Sequence, residues 1–157
     1  EKPKVCFMSS LDITRVHVRH DSVEIAGGIN VAKECFGGSS SVEVSKEQII
    51  VWNPDIILLS SASKEHSISI EDVLSDLDLQ TVNAVKNKRV YYTKGQLIGY
   101  DPATVTTECF YMAKLFHPDK FEDLDVEEEC NEILERFYGV DDLYTEMTEK
   151  CDHYRWE

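Results

Sequence analysis

Solid apolar runs alternate along the chain with stretches of helical spacing. Val5-Cys6-Phe7-Met8 and Asp55-Ile-Ile-Leu-Leu-Ser60 read as strands buried on both faces, as in a parallel sheet. Lys88-Arg-Val-Tyr-Tyr-Thr93 reads as a third strand from its β-branched and aromatic content. Each run gives way to a polar segment: Ser9 to His20, Ser60 to Ser67 and Lys94 to Tyr100. Helix signals fill the intervals. Asp21-Ser-Val-Glu24 has the spacing of an N-terminal capping box, and Gly27-Gly28 closes that short helix as a left-handed cap, not as a phosphate cradle. Ser45-Lys-Glu-Gln48 repeats the box, and Asn53-Pro54 stops its helix because the residue before proline avoids the helical region. Ile70 to Leu77 and Leu79 to Val85 read as further short helices. Asp101-Pro102 opens an amphipathic helix carrying Val105, Cys109, Met112, Ala113 and Phe116 up to His117-Pro118. Asp125-Val-Glu-Glu128 opens another, with Val126, Cys130, Ile133, Leu134 and Phe137 on its apolar side before Gly139. Strands alternating with helices predict a three-layer α/β/α sandwich with a mainly parallel central sheet. In such sheets ligands sit beyond the carboxyl ends of the strands, which places the three polar segments on one rim.

Composition narrows the partners. A chain of 157 residues, 42% apolar and 29% charged, is an ordinary globular domain. Lys and Arg number 16 against 30 Asp and Glu, a net charge of −14 that repels polyanions, so no nucleic-acid partner is expected. From Asp119 to Glu157 there are 15 acidic and 4 basic residues, which puts most of that charge at the C-terminal end, in the ordinary case on a solvated helix face. Five cysteines, widely spaced and without Cys-x-x-Cys, indicate neither a disulfide ladder nor a zinc ribbon; buried thiols are the plainer expectation, with a single bridge left open. No apolar run reaches the length of a bilayer span, and Glu1-Lys2-Pro3-Lys4 leads straight into a strand. Either the protein is cytoplasmic or these are residues left after trimming.

Candidate chemistry concentrates in Arg15-Val-His-Val-Arg-His20, two guanidiniums and two imidazoles in an otherwise acidic chain. Arginine forks match carboxylates or phosphates bidentately, so the segment is a candidate for anion recognition. The plain alternative is an alternating surface strand or hairpin whose polar side happens to be basic. His17-x-x-His20-Asp21 also admits a metal reading, weakly, for want of further ligands. Tyr91 and Tyr92 suit packing against a neighbouring strand, whereas Tyr100 suits either packing or a ligand contact. No nucleotide loop, nucleophile elbow, His-Glu-x-x-His or isolated carboxylate pair is present, and no enzymatic activity is expected.

At Val23-Glu-Ile-Ala-Gly-Gly-Ile-Asn-Val-Ala32, at Val44-Ser-Lys-Glu-Gln-Ile-Ile-Val-Trp-Asn-Pro-Asp-Ile-Ile-Leu-Leu59 and at Asn83-Ala-Val-Lys-Asn-Lys-Arg-Val-Tyr91 the chain resembles the ABC-transporter solute-binding proteins for ferric siderophores, haem and vitamin B12. Met112 to Pro118 and Phe137-Tyr-Gly139 fit as well, so the resemblance covers about residues 4 to 139. It implies a Rossmann-like lobe, the C-terminal one of two, over residues 1–139, with 140–157 as a helical extension of the same lobe. The missing N-terminal lobe and an ABC permease are then the implied partners, and the location is extracytoplasmic, periplasmic or lipid-anchored. The implied ligand is an iron–siderophore complex, haem or cobalamin. Arg15, His17, Arg19 and His20 would meet its anionic oxygens, Ser61 and Ser63 would donate hydrogen bonds, and Tyr100 would stack or ligate. Glu47, in the Ser-x-Glu-x-Ile helix, corresponds to the glutamate that docks against permease arginines; its bland alternative is an N-terminal capping charge. A metal-handling or enzymatic α/β domain using the His/Arg segment is the rival class.

Overall fold

The structure is a computed structural model that describes residues 1–35, 37, 39–61, 68–94 and 101–151. Six strands form one sheet: β1 (Lys4–Ser9), β2 (Asp12–His17), β3 (Ile29–Asn30), β4 (Ser41–Glu43), β5 (Ile56–Ser61) and β6 (Val90–Lys94). Their order is β4-β2-β1-β5-β6, with β3 beside the start of β1. The β1–β3, β1–β5 and β5–β6 pairs are parallel, while β1–β2 and β2–β4 are antiparallel. The expected parallel centre is therefore present, and an antiparallel hairpin flank widens it into a mixed sheet.

Among the described residues seven α-helices accompany the sheet: α1 (Asp21–Ile25), α2 (Lys46–Trp52), α3 (Ile70–Ser75), α4 (Asn83–Lys86), α5 (Pro102–Phe116), α6 (Val126–Tyr138) and α7 (Leu143–Cys151). The apolar runs are unbroken because β1 and β5 are buried on both faces. Val5, Phe7, Ile56 and Leu58 pack into one core with α1, α5, α6 and Tyr144 of α7. The alternate residues Cys6, Met8, Ile57 and Leu59 pack into the other with Ile49, Val73, Val82, Ala84 and Val85. Cys6 and Cys130 are buried as small hydrophobes, whereas Cys35 is exposed.

Local chemistry sets the boundaries. At the end of α1, Gly28 N–H donates to the Val23 carbonyl and Gly27 N–H to that of Glu24, with Gly27 at φ +87°: a left-handed helix stop. Gly28 admits no side chain, since a Cβ would lie 2.8 Å from the Phe116 ring and 3.0 Å from Val5. Asn53 ends α2 in the left-handed region, φ 47°, and Gly139 ends α6 at φ 68°. Asp101 caps α5 by accepting from Ala103 and Thr104 N–H.

Three expectations shift. Asp21 does not cap α1: it is the first helical residue, and His20 stands at the N-cap with no side-chain cap bond. The buried stripe of α5 is Ala103, Thr104, Thr107, Glu108, Tyr111, Met112, Leu115 and Phe116, about one residue round from the side carrying Val105, Cys109 and Ala113. On α6, Val126, Cys130 and Leu134 are buried, but Phe137 is 64% exposed beyond the edge of the core.

Candidate functional site

The carboxyl ends of the three parallel central strands lie abreast: Ser9 pairs in register with Ser60, and Ser60 with Thr93. The polar segments that leave them therefore start from one edge of the sheet. Behind β1 the segment Ser9 to His20 is not the expected loop. It turns at Ser10-Leu11 and runs back as β2, so the hairpin alternative is what forms. Asp12 fixes the turn by accepting from both the N–H and the hydroxyl of Thr14, bonds that hold its carboxyl below the usual range.

That hairpin divides the four basic residues. Arg15 is exposed on β2, opposite Glu43 of β4, with no ion pair among the described residues. His17 is half-buried and its ring lies 4.5 Å from that of Phe7. Burial, then the charge of Arg15, pushes its pKa down. Arg19 is exposed, and His20 is buried with its ring edge-on to the same Phe7 at 4.4 Å. Both imidazoles thus pack against Phe7. Among the described residues no group of three or more His, Cys, Asp or Glu is placed to hold a metal ion.

A cavity of about 340 Å³ opens beside this corner, walled by Val18, Arg19, His20 and Asp21, by Glu24 of α1, and by Asn30 and Lys33. Its charges balance: Arg19 and Lys33 face Asp21 and Glu24, and Lys33 pairs with Glu24. Asn30 is locked, donating to the His17 carbonyl at 3.0 Å and accepting from Ala32 N–H at 3.0 Å. Behind the wall sits a buried polar cluster absent from the sequence expectations. Thr93 Oγ1 donates to Glu108 Oε1 at 2.6 Å, and Glu108 Oε2 lies 3.7 Å from His20 Nε2. Neither ring nitrogen of His20 has a hydrogen-bond partner among the described residues. Burial, and secondarily the charge of His17, pulls the pKa of His20 down to about 4, so the ring is neutral at physiological pH. Glu108 carried one sequence signal, an acid four residues before Met112 on a helix that packs on a sheet, but its partners are distant in sequence.

The remaining nominated residues are placed as follows. Ser61 is the last residue of β5. Ser63 and Tyr100 lie outside the described residues. Glu47 is exposed in the first turn of α2, where its own backbone N–H and Ser45 hold its carboxyl below the usual range. Ser45 caps the helix, accepting from Gln48 N–H at 3.3 Å.

A family model described as periplasmic binding protein matches residues 2–97. The chain belongs to the periplasmic binding protein family. Among curated relatives, the molybdate-binding protein MolA of Haemophilus influenzae is 29% identical over 121 residues, 74% of this chain and 32% of MolA. Helicobacter pylori CeuE, solved as a nickel–histidine complex, superposes with a TM-score of 0.76 at 23% identity over 96% of this chain and 48% of its own. A periplasmic solute-binding protein from Veillonella parvula gives 0.74 at 26% identity, over 97% of this chain and 47% of its own. The chain thus spans about a third of MolA and about half of the two solved structures. Among the described residues no helix is long and apolar enough to cross a membrane.

Proposed function

We propose that this chain is the C-terminal lobe of an extracytoplasmic solute-binding protein, which takes up a small anionic metal complex and hands it to an ABC permease. What carries this reading is the coverage: nearly all of the chain aligns with nearly half of each larger family member. One lobe of a two-lobe clamp has that relation to the whole. The ligand class we favour is an iron–siderophore complex, haem or a corrinoid. Relatives named for molybdate and for a nickel–histidine complex lend support to a metal-centred solute. Arg19 and His20 on the cavity wall, with Arg15 and His17 on the adjoining strand, are the proposed ligand-facing groups, joined by Ser61, Ser63 and Tyr100 from the other two rim segments. The cavity wall itself is charge-balanced, so anion preference rests on guanidinium geometry more than on the local field. Glu47, ionised and exposed, is the proposed contact to a permease arginine. The chain's role is capture and delivery, without chemistry on the ligand.

Equilibrium dialysis of the full-length protein against molybdate, haemin and ferric citrate, paired with uptake assays, tests this. Arg15→Ala with Arg19→Ala should weaken binding of the retained probe by roughly tenfold or more, the loss of about one charge-assisted contact. Glu47→Arg should abolish uptake at unchanged affinity. An unchanged titration for the arginine pair, or lost affinity for Glu47→Arg, overturns the respective assignment.

A further inference from the structure

We propose that Glu108 is a positioning residue for the rim: from α5 it bonds Thr93 at the end of β6 and sets its other carboxylate oxygen against the His20 ring at the head of α1. The proposal rests on reading this edge as the ligand site. It starts from a carboxyl that packing does not require. Glu108 is 5% exposed on a stripe it shares with Ala103, Thr104, Thr107, Tyr111, Met112, Leu115 and Phe116. An apolar side chain of similar volume would fill that place without the cost of taking a carboxylate out of water. Its partners explain the acid. One oxygen holds the Thr93 hydroxyl at 2.6 Å, and the other faces the His20 ring at 3.7 Å. Thr93 is 0% and His20 6% exposed, so these contacts are shielded from water.

Both partners sit where a ligand site needs rigidity. Thr93 is a buried residue one position before the end of β6, and His20 follows Arg19 in the cavity wall. The His20 ring is held by the edge of Phe7 on one side and confronted by Glu108 on the other. Among the described residues, the titratable groups around the pair include His17 of β2, Arg19 and Asp21 on the same cavity wall, Cys109 and Tyr111 of α5, and Tyr91 of β6. The two oxygens of Glu108 thus meet the residue just before the third rim segment and the last residue of the first. Side chains locked in this way from behind keep a binding geometry fixed between visits of the ligand.

The test uses the full-length protein and three variants. Glu108→Leu removes the bond to Thr93 and the carboxylate beside His20, Glu108→Gln keeps an acceptor for Thr93 while removing the charge, and Thr93→Val removes the hydroxyl alone. Glu108→Leu should speed amide exchange at Thr93 and across residues 18–21 together, by roughly tenfold, while the amides of β1 and β5 stay protected. Glu108→Gln should restore slow exchange at Thr93 yet leave the His20 ring-nitrogen resonances displaced. Exchange that rises uniformly across the sheet, or at one segment alone, marks a merely structural residue and overturns the proposal. If Glu108→Leu does not fold, Thr93→Val decides: through the shared carboxylate it must shift the His20 resonances, and unshifted resonances overturn the coupling. Affinity for haemin and molybdate, measured in parallel, should fall about fivefold or more in Glu108→Leu. A wild-type protein that binds neither probe counts against the solute-binding reading, while exchange and resonances still decide the coupling.

Discussion

The two ends of the sheet use polar side chains in opposite ways. At the amino end, Asp55 accepts from Lys4 N–H at 2.9 Å and from the Asn83 amide at 3.2 Å, Asn53 accepts from Asn83 N–H at 2.9 Å, and Arg89 donates to the Leu115 carbonyl at 2.7 Å. These residues are exposed or half-buried, and most of their bonds go to main chain. They stitch strand starts to helix ends, where water takes over if a stitch is cut. At the carboxyl end, Thr93, Glu108 and His20 are buried and face one another. There water cannot substitute, and removing the Glu108 carboxylate leaves the buried Thr93 hydroxyl without that acceptor. Polar groups at the first end answer the needs of the backbone; those at the second are kept at a cost that folding alone does not call for.

The largest effect on stability belongs to the amino end, and it is steric. Gly28→Val would drive its side chain into the Phe116 ring, Val5 and Val23, all within 3.1 Å of a Cβ built at this position. Overpacking of a buried corner on this scale costs about 3 kcal/mol. Urea unfolding should show that loss with an unchanged slope. A loss below about 0.5 kcal/mol, the level of an ordinary surface change, would mean that the corner between α1 and α5 is looser than described.

The carboxyl end should reveal itself through pH. His20 has its pKa pulled down to about 4 in the fold, by burial first and then by His17, against an ordinary 6.5. As pH drops below 6.5 the unfolded chain takes up a proton that the folded one refuses, so stability is complete near pH 7 and declines toward pH 4. The full shift corresponds to about 3 kcal/mol, of which about 2.5 kcal/mol is lost by pH 4.5. His17, also shifted down, adds to the same trend. Urea midpoints at pH 7, 5.5 and 4.5 should fall more steeply in the wild type than in His20→Phe. Parallel slopes would show that the buried imidazole does not set the acid response.

The sequence discloses the two ends unequally. The central strands and their carboxyl-end polar segments are legible because a doubly buried strand needs an unbroken apolar run, and the run stops where burial stops. The hairpin strand β2 is harder: in Asp12-Ile-Thr-Arg-Val-His17 the apolar Ile13 and Val16 stand three apart, so no period of two shows, and three ionisable groups make it look like a loop. The strands β3 and β4, two and three residues long, hold no period to read. Within the candidate site, Arg19 and His20 are found because local charge of that sign is rare in this chain, whereas Glu108 is one acid among many. Its burial depends on a threonine 15 residues earlier and a histidine 88 residues earlier, relations that only the folded chain creates. The one-residue rotation of the α5 stripe has the same origin, since placing Glu108 toward water favours the side of Val105 and Cys109.

The smallest effect separates the two ends most cleanly. Asp55→Ala removes the acceptor for both Lys4 N–H and the Asn83 amide. Both donors lie where water reaches, Lys4 being exposed and Asn83 half-buried. Rehydration therefore recovers most of the loss, and about 1 kcal/mol is expected, the net value of an ordinary hydrogen bond. The adjoining backbone bonds, Asp55 N–H to the Lys4 carbonyl and Ala84 N–H to the Pro54 carbonyl, need no side chain and should persist. The stitch is thus one of several, and its removal should leave amide exchange at Thr93 and residues 18–21 at wild-type rates. If instead the carboxyl end loosens along with it, the sheet transmits strain along its strands, and the two ends are not independent.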